Sequence, residues 1–159
     1  MKNYVNLSEI ANEIINTFQS SNPMCQAYFI EGIQGSRKTD LISLIENQLL
    51  KEKDWIVLNL DPTLDLLSDF SLKLVDSNNG IGLIYDWLGR IKNKNKKVLI
   101  TIDGAIIGDN IRHFVSEFQI FLRRDYPVFL IITGIDEDIS AIQNDPALTF
   151  LLRTPKVRI

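Results

Sequence analysis

A parallel β-sheet covered by helices on both faces is the architecture this 159-residue sequence predicts. Three observations carry that expectation. Short apolar runs alternate with longer segments of helical periodicity along the whole chain. The runs are almost continuously apolar, as strands buried on both faces must be. Each run closes on a polar or glycine-containing turn, the place where ligands gather in such sheets. An apolar share of 45% against 23% charged falls in the ordinary globular range, which excludes a disordered or fibrous chain. The length fits one domain, residues 1–159.

The elements follow in order. Leu7, Ile10, Ala11, Ile14, Ile15 and Phe18 recur at helical spacing, which predicts an N-terminal helix within about residues 6–20. Ser8 or Asn6 is its cap, and Ser20-Ser21-Asn22-Pro23 ends it. Ala27 to Ile30 reads as a first strand, closed by Glu31-Gly32. Lys38 to Lys51 is helical, with Leu41, Ile42, Leu44, Ile45 and Leu49 on one side. Trp55 to Leu60 is a second strand, stopped by Asp61-Pro62. A helix over Thr63 to Leu74, capped by Thr63, is followed by another over Ile81 to Ile91. Val98 to Ile102 is a third strand ending at Asp103. Asn110 to Arg123 is a helix, and Val128 to Thr133 a fourth strand closed by Gly134. A last helix spans Asp138 to Leu152, interrupted by Pro146, before a fifth strand opens at Lys156-Val157-Arg158-Ile159.

Composition removes several classes of function. Seventeen Lys+Arg against twenty Asp+Glu give a net charge of -3, which gives a nucleic-acid partner no support beyond a local patch. Lys92-Asn93-Lys94-Asn95-Lys96-Lys97 is such a patch, and as a solvated connector it has a plainer explanation. One cysteine, Cys25, excludes an intramolecular disulfide, and with one histidine, His113, it argues against a zinc site. No run reaches the roughly 20 apolar residues of a bilayer span, and Met1 to Asn6 is no secretory leader. No membrane partner is expected, and the cytoplasm is the expected compartment.

Chemistry concentrates after the strands. The turn after the first strand reads Gly32-Ile33-Gln34-Gly35-Ser36-Arg37-Lys38-Thr39. Gly32, Lys38 and Thr39 fit the Walker A spacing G-x-x-x-x-G-K-[ST], with a strand before and a helix after. Backbone N–H groups from Gly35 to Thr39 can converge on a phosphate at the helix N-terminus. Lys38 can reach the β- and γ-phosphates, and the Thr39 hydroxyl can hold Mg2+. Arg37 stands where the motif has its second glycine, so its side chain has to leave the loop. The alternative is a glycine turn with an incidental lysine. The third strand ends in Asp103, the Walker B position for a carboxylate that holds Mg2+; a strand-end turn acid is the plainer reading. The next residue is Gly104, where hydrolytic enzymes of this class carry Glu. A lost general base costs about 10²–10⁴-fold in rate. On this reading Gly104→Glu raises turnover where nucleotide binding is intact. Thr133, ending the fourth strand, either bonds the attacking water or γ-phosphate, or satisfies a loop amide. Arg153 either reaches a neighbour's γ-phosphate or is a helix C-terminal cation, as Arg123 and Arg124 are.

These segments resemble AAA+ P-loop ATPases, with degenerate Walker A and Walker B elements. The nearest likeness is to small bacterial ATP-binding proteins allied to the origin-recognition-type and signal-transduction ATPases. Tyr28 to Thr39, Val98 to Asp103, Ile131 to Gly134 and Leu151 to Lys156 carry the resemblance, which extends over roughly Leu7 to Ile159. It implies a three-layer P-loop NTPase fold with a five-stranded parallel sheet in the order 5-1-4-3-2. It implies ATP as ligand, bound by the loop Gly32, Gln34, Gly35, Ser36, Arg37, Lys38 and Thr39, and Mg2+ at Thr39 and Asp103. It places Thr133 at the sensor-1 position and Arg153 near the arginine-finger position, with a homo-oligomer as the setting. The helical lid that follows the fifth strand in this family is absent from the sequence. The expected function is an ATP-binding module with weak or absent hydrolysis, a switch or an assembly unit. The alternatives are a scaffold that no longer binds nucleotide and, behind it, a small-molecule phosphotransferase.

Overall fold

A computed structural model describes residues 6–75 and 81–159. The reading of Met1 to Val5 as part of no leader lies outside them. Five strands, β1 (Ala27–Glu31), β2 (Trp55–Leu60), β3 (Lys97–Ile102), β4 (Val128–Gly134) and β5 (Lys156–Arg158), form one sheet in the order β2-β3-β4-β1-β5. Every pairing is parallel, for instance Tyr28 beside Ile131 and Ile30 beside Val157. This is the expected order, read from the other edge.

Helices α1 (Leu7–Gln19) and α2 (Lys38–Leu50) cover one face, and α3 (Leu66–Val75), α4 (Ile81–Asn93), α5 (Asp109–Arg123) and α6 (Asp136–Gln143) the other. Successive strand residues alternate between the two layers. Tyr28 and Ile30 pack with α1 and α2, whereas Ala27 and Phe29 pack beneath α5 and α6. Both layers are apolar, so β1 and β4 are buried along their full length. The edge strands differ: β5 exposes Lys156 and Arg158, charges that discourage further pairing. No described helix is long and apolar enough to cross a membrane.

The structure settles one helix start that the sequence left open, and two boundaries depart from expectation. Asn6, not Ser8, caps α1 by accepting from Glu9 N–H at 3.2 Å. Thr63 does not cap α3. Its N–H and hydroxyl bind Asp61 at 2.9 and 2.6 Å in a tight turn, and Asp65 caps instead, accepting from Ser68 N–H at 3.0 Å. The last helix is two elements. α6 ends at Gln143, and a 3-10 segment, Pro146–Arg153, restarts where Asp145 accepts from Ala147 N–H at 2.8 Å. Proline lacks the N–H a continuous helix needs, and Asp145 offers the new start a cap.

Candidate functional site

The turn after β1 is set by close backbone approach. Gly32 N–H donates to Gly134 O at 3.3 Å, which ties the turn to the end of β4. A Cβ on Gly32 would stand 2.5 Å from Ser36 Oγ and 2.6 Å from Ile159 O, so a side chain does not fit there. Ser36 N–H donates to Ile33 O at 3.1 Å, and Gly35 takes φ 83°, the left-handed conformation that glycine tolerates. α2 starts at Lys38, and Arg37 at its N-cap gives no side-chain cap bond. The first-turn N–H groups therefore face the turn with the positive end of the helix dipole.

Lys38 folds back over this turn. Its Nζ donates to Gly32 O at 3.1 Å, Ile33 O at 2.7 Å and Ser36 Oγ at 3.0 Å. Three bonds use the three protons of an ammonium group. A phosphate oxygen that meets the amine has to replace one of them, and the neutral, rotatable Ser36 hydroxyl is the easiest to displace. Arg37 points away. Its φ is −87°, so the position needs no glycine, and its guanidinium pairs with Asp40 at 3.1 Å with both side chains more than 60% exposed. Gln34 is exposed on the turn.

The other half of the site comes from β3 and β4. Thr39 Oγ1 donates to Asp103 Oδ2 at 2.8 Å, and Thr133 Oγ1 donates to Asp103 Oδ1. One hydroxyl on each oxygen fixes the carboxylate plane. Thr133 is fully buried, and its Oγ1 also accepts from Gly104 N–H at 3.0 Å. Its carbonyl accepts from Gly104 and Ala105 N–H at 3.1 and 2.9 Å. Of the two sequence readings of Thr133, the loop-amide bond is present in the geometry, and the bond to Asp103 accompanies it.

Gly104 has a conformational reason to be glycine. Its φ is 84°, and an added Cβ would meet nothing within 4 Å. The obstacle to a side chain is the dihedral, worth about 1–2 kcal/mol for an L-residue, and not space. The geometry does not test the expectation that Gly104→Glu raises turnover, but it sets a cost against it: the new side chain would strain the turn that Thr133 holds. The three acids nearest in the chain to such a role, Asp61, Asp109 and Glu31, are engaged elsewhere. Asp61 is engaged by Thr63, whose hydroxyl and amide hold its carboxyl below the usual range. Asp109 pairs with Arg112, and buried Glu31 lies 3.8 Å from Lys156.

The donor set fits Mg2+ accompanied by phosphate. Thr39 directs its proton to Asp103 and keeps oxygen lone pairs for a metal, with Asp103 behind it. Among the described residues no group of three His, Cys, Asp or Glu side chains forms a cage. Mg2+ typically needs no cage, since phosphates and water complete its shell. Beside this cluster an apolar cavity of about 230 Å³ lies between the turns after β2 and β3, lined by Leu66, Ile102, Ala105 and Ile111 among others.

Arg153 is not brought to the cluster. It ends the 3-10 segment and lines a cavity of about 200 Å³ with Met24, Gln26, Ala27 and Thr154, at the amino end of β1. Lys38 follows the carboxyl end of the same strand, about 16 Å away for a five-residue strand. Arg153 is therefore not part of the glycine turn of its own copy. His113 is exposed on α5, and Cys25 is half-buried, its thiol pushed up by burial. Asp136, in the first turn of α6, pairs with Arg158 and buries Oδ1.

Sequence reasoning missed one feature. Glu46, on α2, accepts from Thr101 Oγ1 at 2.7 Å and from Asn59 Nδ2 at 3.1 Å. Two signals were available: Glu46 lies seven residues after Thr39, on the same helix face, and Thr101 is a polar residue inside an apolar strand, two before Asp103.

No family model matches the sequence, and no curated protein matches it either. Solved structures do match. The chain is similar to Cdc6p from Pyrobaculum aerophilum, at 12% identity and a TM-score of 0.70, over 96% of this chain and 43% of that one. It is similar to a chain of Drosophila ORC bound to GC-rich DNA and Cdc6, at 8% identity and a TM-score of 0.73, over 96% of this chain and 28% of that one. It is also similar to C. elegans PCH-2, at 18% identity and a TM-score of 0.56, over 96% of this chain and 40% of that one. The chain thus spans less than half the length of each. At these identities the likeness is one of fold, and the fold is that of an AAA+ P-loop ATPase core.

Proposed function

We propose that the chain is an ATP-binding AAA+-type module with weak or absent intrinsic hydrolysis, working as a nucleotide-dependent switch or assembly unit. One observation carries the reading: the Thr39–Asp103 hydrogen bond joins the glycine turn after β1 to the end of β3, as a site for Mg2+ and phosphate needs. Gly32, Gly35 and Ser36 shape the turn, Lys38 provides the cation, and the open N–H groups at the start of α2 take phosphate oxygens. Bound Mg-ATP would supply the phosphoanhydride and a divalent charge to neutralise it. Thr39 and Asp103 orient the metal's oxygen neighbours, and Thr133 orients Asp103. A water next to this site finds no free carboxylate on the residue after Asp103, which supports slow hydrolysis. Arg153, at the far edge, would serve a neighbouring copy. A nucleic-acid contact, suggested by the DNA-bound neighbour, would have to use that same edge, where Lys92, Lys94, Arg123 and Arg124 are exposed.

Titration calorimetry with Mg-ATP tests the reading. Lys38→Ala is expected to weaken binding about 10- to 150-fold, the value of hydrogen bonds to a charged group. A folded wild type that gives no heat at millimolar nucleotide rejects it. The scaffold alternative has one observation in its favour, the three protein acceptors around the Lys38 amine. A scaffold keeps its partner after Lys38→Ala, whereas a switch loses it.

A further inference from the structure

Thr39 can hold a metal only if α2 is seated at one height and one rotation against β3. The apolar face of α2 does not fix that seating on its own. Leu41, Ile42, Ile45 and Leu49 pack in a layer with α1 and the sheet, and apolar contact is not directional. Directional contacts come from two hydrogen-bonded hooks. One is Thr39 to Asp103 at 2.8 Å. The other, two helical turns or about 10.5 Å along the axis, is Glu46 to Thr101 at 2.7 Å, with Asn59 on the same Glu46 oxygen at 3.1 Å. Both hooks land on the same face of β3, because Thr101 and Asp103 are two residues apart. Asn59 sits beside Thr101 in the sheet register, so Glu46 spans two strands.

The two hooks have different duties. The Thr39 hydroxyl belongs to the site and changes its surroundings when a metal arrives. The hydrogen bonds that Glu46 accepts come from Thr101 and Asn59, neither of which is on the glycine turn, and Thr101 is fully buried. We propose that Glu46 is a positioning residue: by gripping Thr101 and Asn59 it fixes the seating of α2, so that Thr39 stays on Asp103 as Mg2+ and nucleotide bind. The inference rests on the ATP-binding reading and deepens it.

The test compares Glu46→Ala, Glu46→Gln and a packing control, Leu44→Ala, on the same helix. Hydrogen exchange of the nucleotide-free protein is the first readout. Amides of Leu41, Ile42 and Ser43, the first that α2 hydrogen-bonds, are expected to exchange several-fold faster in Glu46→Ala. Calorimetry with ATP, with and without Mg2+, is the second. Glu46→Ala should lose about five- to tenfold in the affinity that Mg2+ adds, with metal-free binding within about twofold of wild type. Glu46→Gln keeps an acceptor for Thr101 and should recover most of the difference. Leu44→Ala lowers stability and should leave the Mg2+ increment alone. Equal losses with and without Mg2+, unchanged exchange, or a Leu44→Ala variant that matches Glu46→Ala overturns the role. A wild type that binds no nucleotide rejects the ATP reading, and the positioning role with it. A wild type that binds, with an unaltered Mg2+ increment in Glu46→Ala, rejects the positioning role alone.

Discussion

The two ends of the sheet carry opposite kinds of side chain. At the carboxyl edge lie Thr39, Asp103 and Thr133, joined by hydrogen bonds, with Asp61, Asp65, Asp109 and Asp136 on the neighbouring turns. At the amino edge lie Lys51, Lys53, Lys92, Lys94, Arg123, Arg124 and Arg153, all exposed. In a parallel sheet the helices α2, α5 and α6 start where β1, β3 and β4 end, and α1, α2, α4 and α5 end where the next strand begins, so those helix N-termini and C-termini gather at opposite edges. Helix dipoles favour acids and anions at N-termini and cations at C-termini. A chain of net charge -3 thus carries a cluster of acids around one edge and a row of exposed cations along the other. The basic edge then follows from helix ends, with no need of a dedicated polyanion site. The carboxyl edge differs because its polar groups bond one another: Asp103 accepts on both oxygens, whereas none of the cations named at the other edge makes an ion pair within 4.0 Å among the described residues.

That contrast predicts where substitutions hurt. Thr133→Val should have the largest effect on stability. It keeps the shape but strips Asp103 Oδ1 and Gly104 N–H of a partner, at about 1–3 kcal/mol in a urea melt, and it should also reduce the gain in ATP affinity from Mg2+. Gly104→Glu comes next. It should cost about 1–2 kcal/mol through the positive φ and add no measurable phosphate release. Faster hydrolysis in that variant would show that the turn adapts and that a missing carboxylate was the limit after all.

The amino edge has one cation that behaves differently. Lys97 Nζ donates to Phe18 O at 3.1 Å and lies 5.5 Å from the Trp55 ring centre and 5.6 Å from that of Phe129. Burial pushes its amine below the ordinary lysine range, with Asp54 acting in the opposite direction. The unfolded chain therefore holds this proton to higher pH than the folded one. Between the lowered folded value and about 10.4, this group makes stability rise with pH. Tyr28, raised by burial, acts in the opposite sense, so the comparison has to be differential. Urea midpoints from pH 8 to 10 should fall further with rising pH in Lys97→Met than in wild type. The smallest effect is reserved for Arg153→Ala. In a dilute single copy it should leave Mg-ATP affinity within about twofold, since Arg153 lies at the other edge. A large loss there would place the residue in its own copy's site and break the contrast.

The same division explains what could be read in advance. Strand cores such as Val98 to Ile102, and the spacing of Gly32, Lys38 and Thr39, are visible because local periodicity and turn chemistry depend on neighbours in the chain. Helix starts were less legible. Thr63 and Asp65 are both good caps, and which one serves depends on Asp61 turning to meet Thr63. The break at Asp145 was foreshadowed by Pro146, but the shift from helix to a 3-10 segment was not.

The sequence by itself determined a helix-flanked parallel sheet, a glycine turn leading into a helix after the first strand and an acid after the third, since each depends on residues within a dozen positions. Only the tertiary structure decided that Thr39 meets Asp103 across 64 positions, and Thr133 meets it across 30. It alone decided that Arg37 faces solvent, that Gly104 is glycine for its dihedral, and that Glu46 grips β3. The reason is physical. Periodicity is a property of the local backbone, whereas a hydrogen bond between distant residues needs directions and distances that exist only once both cores have closed around the sheet.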